Sequence, residues 1–288
     1  YHSIDFDDIR KKYTDPATKY AFNVLDEKVM AGYLMKLACF RHVRDLQRVE
    51  NKEFGFYYDV NEVDKILKFA AIAPNVDTGE PTKLMDWQKF IFAMLFGWRD
   101  GLGTKRFTRV VLSVARGQGK SYLMAIYMSY SFLIESMGLS NQDFLVTAEN
   151  YDQTGKLYGY IANMLKSIID QQPVFKKLAE EDDLVIHEHT GISMRKFNNN
   201  LRPLSFNAGK YDSYHFTTAV FDEVGNIKTR EGTKKIVSGQ VKVPNHQYIE
   251  ISTSYPDPSV PFHDEQKMIQ QVMEQDFNRE ADRTLGLI

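Results

Sequence analysis

The sequence is poor in cysteine, since Cys39 is the one cysteine among 288 residues. A single thiol cannot form a disulfide within its own chain, which fits a reducing, cytosolic setting. Long apolar runs are also missing. No run approaches the roughly 18 residues that a membrane-spanning helix needs, and no signal peptide is evident, so we expect no membrane partner. The net charge is only −2, so any contact with a polyanion has to be local or shared among several copies.

Apolar residues, by contrast, are plentiful. They make up 43% of the chain, and aromatic residues 13%, which is enough for one large domain, or one domain and a small appendage. Residues 1 to about 80 have a helical pattern, whereas strand-like runs alternate with helical patterns from residue 106 onward. This alternation predicts an α/β fold, with a mostly parallel sheet covered by helices on both faces.

The periodicity places the elements as follows. Helices are predicted near residues 29–46, 61–72, 86–97, 121–137, 151–170, 230–239 and 264–281. Strands are predicted near residues 109–114, 143–148, 217–222 and 246–254, with short strands or a hairpin within 184–206. We therefore expect an N-terminal helical subdomain over 1–80, a core over 81–262 and a helical lid or linker over 263–288.

The stretch 109–121, RVVLSVARGQGKS, carries the clearest chemical signal. A β-branched run meets a Gly-Lys-Ser turn and then a helical pattern, which is the layout of a phosphate-binding loop. Lys120 would reach the terminal phosphate oxygens and Ser121 would ligate Mg²⁺. Val114 stands where the common pattern has its first glycine. The alternative is an ordinary helix start with Gly119 near the cap, and the preceding strand argues against it.

A second signal lies about 100 residues further on, where the apolar run 217–221 ends in Asp222 and Glu223. An acid at the end of a buried strand can hold Mg²⁺, and the next acid can polarise the attacking water. We assign Asp222 to the metal and Glu223 to the role of general base. An isolated Asp-Glu pair is usually a solvated strand cap, but its order after the loop favours an ATPase.

Several motifs together resemble one protein family. They are LACFRHVRDL at 37–46, WQKFI at 87–91, LFGW at 95–98, VARGQGKS at 114–121, DE at 222–223 and STS at 252–254. With these residues the chain resembles the large terminase subunit of tailed bacteriophages, the motor that packages DNA into a procapsid. The likeness runs from about residue 30 to 262. Arg116, three residues before the loop glycine, is its most discriminating part.

The resemblance implies a P-loop NTPase fold of the ASCE type, with ATP and Mg²⁺ as cofactors. The residues implied to bind nucleotide are Trp87, Gln88, Gly117, Gln118, Gly119, Lys120, Ser121 and Tyr122. Gln88 would pair with the adenine edge, and Arg116 would act in cis on the γ-phosphate beside Lys120 and Glu223.

The motif at Ser252, Thr253 and Ser254 would couple hydrolysis to movement through hydroxyl groups that change hydrogen-bond partners. Ring motors of this kind also use a basic residue from the neighbouring subunit, and the candidates upstream of Asp222 are Lys210, Arg202 and Arg195. The family normally continues into an RNase H-like nuclease domain. The acids near 257 and 264–265 read as turn and helix-start residues, so we expect the ATPase half alone.

The implied function is therefore an ATP hydrolase that moves double-stranded DNA without sequence preference. Its implied partners are the portal protein and the small terminase subunit, in a homo-oligomeric ring in the host cytoplasm, while the isolated domain could be monomeric. A basic patch after the catalytic acids is a candidate DNA contact, although a solvated helix face explains it nearly as well. The patch comprises Lys228, Arg230, Lys234, Lys235 and Lys242.

Two other functions remain open at this point. A helicase-like ATPase would share the glutamine ahead of the loop and the Asp-Glu pair, although the Arg116 loop argues against it. A docking module that binds nucleotide without turnover is the third, and intact Lys120 and Glu223 argue against that one. Strand displacement on a forked duplex, or binding without hydrolysis, would distinguish these two.

Overall fold

The chain divides into two units, each assembled from separate stretches of sequence. The computed structural model describes residues 1–75, 78–206, 211, 214–253, 260–275 and 283–287. Unit 1 comprises residues 1–68, 84–113 and 264–288, and unit 2 comprises residues 69–83 and 114–263. The division by sequence pattern at 80/81 and 262/263 stays a prediction.

Unit 1 is mainly helical. Its elements are α1 (Asp7–Lys12), α2 (Pro16–Leu25), α3 (Tyr33–Arg48), β1 (Phe56–Tyr58), α4 (Val60–Ala70, whose last residues belong to unit 2), α5 (Asp86–Gly97), β2 (Trp98–Asp100), β3 (Arg109–Ser113), α10 (Pro261–Gln275, whose first turn belongs to unit 2) and β10 (Thr284–Leu287). β1 and β2 pair antiparallel, whereas β3 and β10 pair parallel, with Arg109 opposite Thr284.

A buried hydrogen-bond chain joins α2, α3 and β2 in unit 1. The indole N–H of Trp98 donates to Nδ1 of His42 over 3.1 Å, so Nε2 of the neutral ring carries the proton and donates to Thr18 Oγ1 over 3.0 Å. Thr18 in turn donates to Asp15, the N-cap of α2, over 2.6 Å. Burial lowers the pKa of His42 to about 4, so the ring stays neutral.

The same unit buries a full positive charge. Arg106 is 0% exposed, and its guanidinium pairs with the Asp45 carboxylate over 2.7 Å. Four aromatic rings lie within 5.0 Å of the guanidinium carbon, those of Phe54, Phe56, Trp98 and Phe107. Since cation–π contacts and the Asp45 carboxylate compensate for lost water, this arginine connects α3 to the segment that leads into β3.

Helix α10 is attached to β3 by side chains. Gln266 donates to the Ser113 hydroxyl over 3.0 Å, and Glu265 forms an ion pair with Arg109. Gly286 on β10 lies so close to Ile269 of α10 that a Cβ atom would overlap its methyl group. The strand that delivers the predicted phosphate loop is thus fastened at both ends within its own unit.

Unit 2 is an α/β layer structure. Its elements are α6 (Lys120–Tyr130), β4 (Asp143–Ala148), α7 (Tyr151–Gln171), α8 (Pro173–Glu181), β5 (Leu184–Ile186), β6 (Ile192–Met194), β7 (Asn199–Pro203), β8 (Phe216–Asp222), α9 (Glu231–Gln240) and β9 (Gln247–Ser252). Within the unit the strand order is β9-β8-β4-β7-β6-β5. The first four strands run parallel, and β6 and β5 extend the sheet antiparallel.

The predicted α/β class and the mostly parallel sheet are confirmed, and the long periodic helices and the buried strands lie close to their predicted positions. The predicted strand at 109–114 ends at Ser113, and the range 184–206 contains three strands. The sequence reading missed β1, β2, α8 and β10, all short elements. Within the described residues, no helix combines the length and the apolar character required to cross a bilayer.

Candidate active site

The predicted phosphate loop lies between the end of β3 at Ser113 and the start of α6 at Lys120. Gly117 and Gly119 have φ angles of 75° and 76°, in the left-handed region that a side chain with a Cβ atom rarely adopts. Gly119 is the N-cap of α6, so the first N–H groups of the helix have no partners within the helix itself. The loop has the backbone geometry expected of an anion cradle, and its residues 115–118 are exposed.

Lys120 lies folded over this loop. Its ammonium group donates to the Val114 and Ala115 carbonyl oxygens over 2.7 and 3.1 Å. Burial lowers its pKa, the carboxylates of Glu223 and Asp222 raise it, and Arg116 lowers it again. The two acids predicted from the sequence therefore lie close enough to Lys120 to interact with its charge.

Asp222 is the last residue of β8 and is buried. Burial first, and then the charge of Glu223, raise the pKa of its carboxyl group to about 6, against a hydrogen bond from the Glu223 backbone and the charge of Lys120. Because burial disfavours the charged carboxylate, a bound cation would stabilise it. The hard oxygen atoms of Asp222 and Ser121 are ligands that suit Mg²⁺, so these residues fit the predicted ion.

Glu223 has an unusual backbone. Its φ and ψ angles are 55° and 40°, left-handed values for a residue that is not glycine, and a 3₁₀ turn follows at Val224–Asn226. This conformation turns the chain sharply at the end of β8, immediately after Asp222. Backbone strain of this kind is held in place by the surroundings and is typical of functional sites.

Ser252, at the end of β9, joins both halves of the candidate site. Its carbonyl oxygen accepts from Val114 N–H at the start of the phosphate loop over 3.2 Å. Its hydroxyl accepts from Gly225 N–H after the acid pair over 3.0 Å and donates to the Thr253 carbonyl over 2.9 Å. Thr253 is buried, whereas Ser254 lies outside the described residues.

The remaining nucleotide candidates divide between the units. In unit 2, Tyr122 donates its phenol to the Ala73 carbonyl over 3.0 Å. In unit 1, Gln88 accepts from Met85 N–H over 2.9 Å in a capping box that begins α5, and Trp87 N–H lies 3.3 Å from the Met85 sulfur. Gln88 is buried.

The candidates for a residue acting in trans differ in surroundings. Arg202 donates from Nε to Asp143 over 3.2 Å and lies over the Tyr214 ring at 4.9 Å. Arg195 is exposed and lies 3.9 Å from Asp183. Lys210 lies outside the described residues.

Sequence reasoning missed the atoms that connect the motifs. Gly225 N–H, Val114 N–H and the Ala73 carbonyl are backbone groups, and residue type gives no signal for them. Among the described residues no group of three or more histidine, cysteine or acidic side chains is placed to hold a metal, so the metal assignment depends on Ser121 and Asp222.

Comparison with known proteins gives a match to one family model. A family model described as "Terminase large subunit, ATPase domain" matches residues 86–271, and no curated protein matches the sequence. The HK97 bacteriophage large terminase is similar in structure, with 17% identity and a TM-score of 0.61 over 78% of this chain and 43% of that one. The chain thus spans less than half the length of that terminase.

Two further structures show weaker similarity. The ATPase domain of the Thermus phage P74-26 large terminase gives 16% identity and a TM-score of 0.40, over 54% of this chain and 63% of that one. The large terminase of a thermophilic bacteriophage in complex with ADP gives 11% identity and a TM-score of 0.35, over 63% and 40%. The HK97 similarity supports the fold described above.

Proposed function

The chain belongs to the family of terminase large subunit ATPase domains, and from this premise we propose that it hydrolyses ATP to drive double-stranded DNA into a procapsid. One observation carries the proposal. The loop that holds Lys120 and the turn that holds Asp222 and Glu223 are both bonded to Ser252 at the end of β9. Triphosphate hydrolysis requires groups that bind the phosphates and acids that hold the metal and orient water. Here Ser252 contacts the segments that carry both sets of groups.

In this proposal the N–H groups of the loop and the Lys120 ammonium bind the β- and γ-phosphates. Asp222 and Ser121 would hold Mg²⁺, which offsets phosphate charge when bound. The oxygen of a water molecule attacks the γ-phosphorus while Glu223 accepts a proton from that water. The bond between the γ-phosphorus and the β-phosphate oxygen breaks, giving ADP and phosphate. Exposed Arg116 stabilises the charge on the transferring group.

Ser252 is suited to report the state of the nucleotide. Its hydroxyl contacts the turn after Glu223 and its carbonyl contacts the loop before Lys120. A shift of either segment upon phosphate release would change one of these two bonds. We propose that β9 carries this change to the segments that follow it, and that Thr253 and Ser254 act with Ser252.

The wider machine is proposed on the same premise. Copies of this chain would form a ring that contacts the portal protein and the small terminase subunit in the host cytoplasm. DNA would be held by its phosphates, without sequence preference and with strong dependence on salt. Gln88 and Trp87 would contact the adenine, and Arg202 or Lys210 would act on the site of a neighbouring subunit.

Steady-state ATP hydrolysis with Mg²⁺ tests the proposal. Wild type is compared with Glu223→Gln and Arg116→Ala over a wide range of protein concentration, and Glu180→Gln on exposed α8 serves as the matched control. We expect both site variants to lose at least about 100-fold in turnover while nucleotide binding persists, as removal of a base or a charge stabiliser does. Turnover in Glu223→Gln equal to that of the control would refute the proposed base.

Concentration dependence tests the ring. Specific activity that rises with protein concentration is expected if a neighbouring subunit completes the site. Nucleotide bound without turnover at every concentration would instead favour the docking module, and strand displacement on a forked duplex would favour a helicase.

A further inference from the structure

The antiparallel extension of the unit 2 sheet leaves one polar face open. Along β6 and β7 burial alternates, so Ile192, Met194 and Leu201 lie buried while Ser193 and Asn200 are partly exposed. Ser193 lies opposite Asn200, and Arg202 is two residues further along the same face. A strand pair with one buried and one open face presents a fixed row of side chains to solvent.

This open face contains a cleft of about 220 Å³. The polar side chains that line it belong to His187, Thr190, Ser193, Asn200 and Arg202. All five can donate hydrogen bonds, and the set contains no carboxylate. A cleft of this size with only neutral or cationic donors suits a single phosphate group.

The turn beside the cleft depends on a glycine. Gly191 has a φ angle of 134°, and a Cβ atom there would lie 2.5 Å from the Leu201 carbonyl oxygen. The missing side chain lets the turn after β5 approach β7 closely, and His187 and Thr190 line the cleft together with Arg202.

Arg202 is held in position before any ligand binds. Its Nε donates to Asp143 on β4 over 3.2 Å, and its guanidinium lies over the Tyr214 ring at 4.9 Å. Within the described part of the chain, no acceptor bonds to its two terminal nitrogens. A guanidinium fixed through Nε offers those two nitrogens as a fork that matches two oxygens of a phosphate.

Helix α9 is linked to Arg202 through Tyr214. Tyr214, the residue against Arg202, has its carbonyl oxygen 2.9 Å from where a Cβ atom on Gly239 of α9 would lie, and the next residue, His215, shares a hydrogen bond of 3.1 Å with the Gly239 carbonyl. Gly232 at the start of α9 packs against the Phe206 ring, which contacts Phe221 of β8. Both ends of α9 therefore lie against the segments that follow β7 and precede β8.

The segment around α9 is strongly basic. Residues 228–242 carry five cationic side chains and one acidic one, in a chain whose net charge is −2. Four of the cationic residues are exposed: Lys228, Lys234, Lys235 and Lys242. The apolar side chains of Val237 and Val241 are also exposed, at 40% and 72%. We call these four lysines, together with the cleft that Arg202 lines, the α9–Arg202 face.

We propose that the α9–Arg202 face binds the sugar-phosphate backbone of duplex DNA, with one backbone phosphate in the cleft and its neighbours along α9. This assignment uses Arg202 for the DNA contact and leaves Lys210 as the candidate residue that acts in trans. The proposal rests on the proposed function, because it assigns to this surface the DNA contact which that function requires. A polyanion is the occupant that charge complementarity selects, since residues 228–242 carry five cationic side chains against one acidic one and no carboxylate among the described residues lines the cleft.

Fluorescence anisotropy with a labelled duplex of about 30 base pairs, read between about 50 and 200 mM salt, tests this assignment. Lys234→Gln with Lys235→Gln removes two neighbouring charges from α9. The matched control is Lys176→Gln with Lys177→Gln, an equally exposed lysine pair on α8. We expect the α9 pair to weaken binding about tenfold and to reduce the slope of log affinity against log salt by about 1.8, with no change in the control.

Arg202→Gln tests the cleft itself, and we expect its salt slope to fall by about 0.9, whereas Arg202→Lys should restore most of that slope. Thermal unfolding of each variant shows whether it folds, and the α9 pair carries the test if Arg202→Gln does not. Inorganic phosphate, at concentrations that leave the duplex bound, separates a site for free phosphate from one for the backbone. Filling of the cleft by phosphate with duplex affinity unchanged would overturn the proposal.

Three other results would also overturn it: absence of duplex binding at the lowest salt concentration, equal losses in the α8 and α9 pairs, or loss of self-association in the α9 pair with duplex affinity intact. The last would assign this face to a contact between copies. ATP hydrolysis by wild type without DNA is measured in the same samples. If hydrolysis is absent while duplex binding depends on α9, the hydrolytic proposal fails and the surface assignment stands.

Discussion

At the scale of single residues, the candidate site is held in two unfavourable states. Asp222 is buried with a raised pKa, and Glu223, the next residue, has left-handed backbone angles. Each state costs folding free energy and each suits the proposed chemistry, since a buried carboxylate favours a cation and the sharp turn separates the two acids. A variant that removes the buried charge or the backbone strain should show the cost as a gain in the free energy of unfolding.

The first prediction concerns Asp222→Asn. The folded pKa of Asp222 is about 6, above the ordinary value near 3.8, so the folded state holds the proton more tightly than the unfolded state does. The protonated Asp222 carboxyl group therefore stabilises the folded state fully below about pH 4, and this stabilisation is lost as the pH rises through about 6. Without nucleotide, Asp222→Asn should therefore be more stable than wild type at about pH 8, by about 2 to 3 kcal/mol, and not at about pH 4.

Urea unfolding at about pH 4, 6 and 8 measures this difference, which has to grow with pH. Asp64→Asn, an exposed carboxylate on α4, is the control. A difference that is the same at all three pH values would show that Asp222 carries no penalty from burial.

The second prediction concerns the backbone of Glu223. Glu223→Gly should raise the free energy of unfolding by about 1 kcal/mol, because glycine adopts left-handed angles freely, although added freedom in the unfolded chain offsets part of the gain. Glu223→Gln keeps the strain and removes the same charge beside Asp222, so it is the reference against which the gain in Glu223→Gly is measured, while both variants lose turnover. Chemical unfolding compared with ATP hydrolysis separates these effects, and a Glu223→Gly variant less stable than Glu223→Gln would refute the strain.

At the scale of elements, unit 1 depends on polar groups buried between helices and strands. Arg106 and Asp45 bring α3 against the segment before β3, and Arg41 of α3 donates to the Thr284 carbonyl at the start of β10 over 2.6 Å. Hydrophobic periodicity locates helices such as α3, but it does not indicate which buried charge meets which partner.

The third prediction follows from that pair. Asp45→Asn should lower the free energy of unfolding by about 3 to 5 kcal/mol, because it removes the negative charge that lies 2.7 Å from the buried Arg106 guanidinium and that also pairs with Arg48 over 3.1 Å. The double change of Asp45→Leu and Arg106→Met removes both charges and should cost less than the single change. Unfolding in guanidinium chloride measures the two variants, and a double variant as unstable as Asp45→Asn would show that the pairing is unimportant.

Prediction of elements from the sequence succeeded where an element supplies its own pattern. Helices α5 and α7 and strands β4 and β8 each have enough residues for a clear period. β10 has four residues and exists through its pairing with β3, about 175 positions earlier, so no local pattern predicts it. α8 did have a signal, since Pro173 at its first position ends α7 and begins a new helix.

At the scale of the whole molecule, two units alternate along the chain. Spacing and residue type predict the phosphate loop and the acid pair, because each depends on residue types that the chemistry requires, whereas the role of residues 252–254 is implied by the family resemblance alone. The roles of all these residues stay predictions. The bonds from Ser252 to Val114 and Gly225 could not be predicted, since they connect backbone atoms brought together by β9. The sequence nominates the candidate residues, whereas the bonds that connect their segments depend on how the sheet places β9.

The fourth prediction belongs to this scale. A ligand that binds only the folded chain stabilises it by mass action, by about 2.7 kcal/mol at about 100 times its dissociation constant. ATP with Mg²⁺ should therefore raise the melting temperature of wild type, and of Glu223→Gln. Lys120→Ala should lose most of this shift, because the phosphates lose their ammonium partner. Differential scanning calorimetry measures it, and an equal shift in Lys120→Ala would place the nucleotide elsewhere.

The hydrogen bond between Trp98 and His42 has an optical consequence. The chain has two tryptophans; Trp98 is fully buried, whereas Trp87 is half-buried and adjoins Gln88. The emission of Trp98 should be blue-shifted and constant, since its ring is sealed among side chains. If Trp87 contacts the adenine as proposed, its emission should change when nucleotide binds. Trp98 would then serve as an internal reference, and nucleotide binding could be followed without a dye.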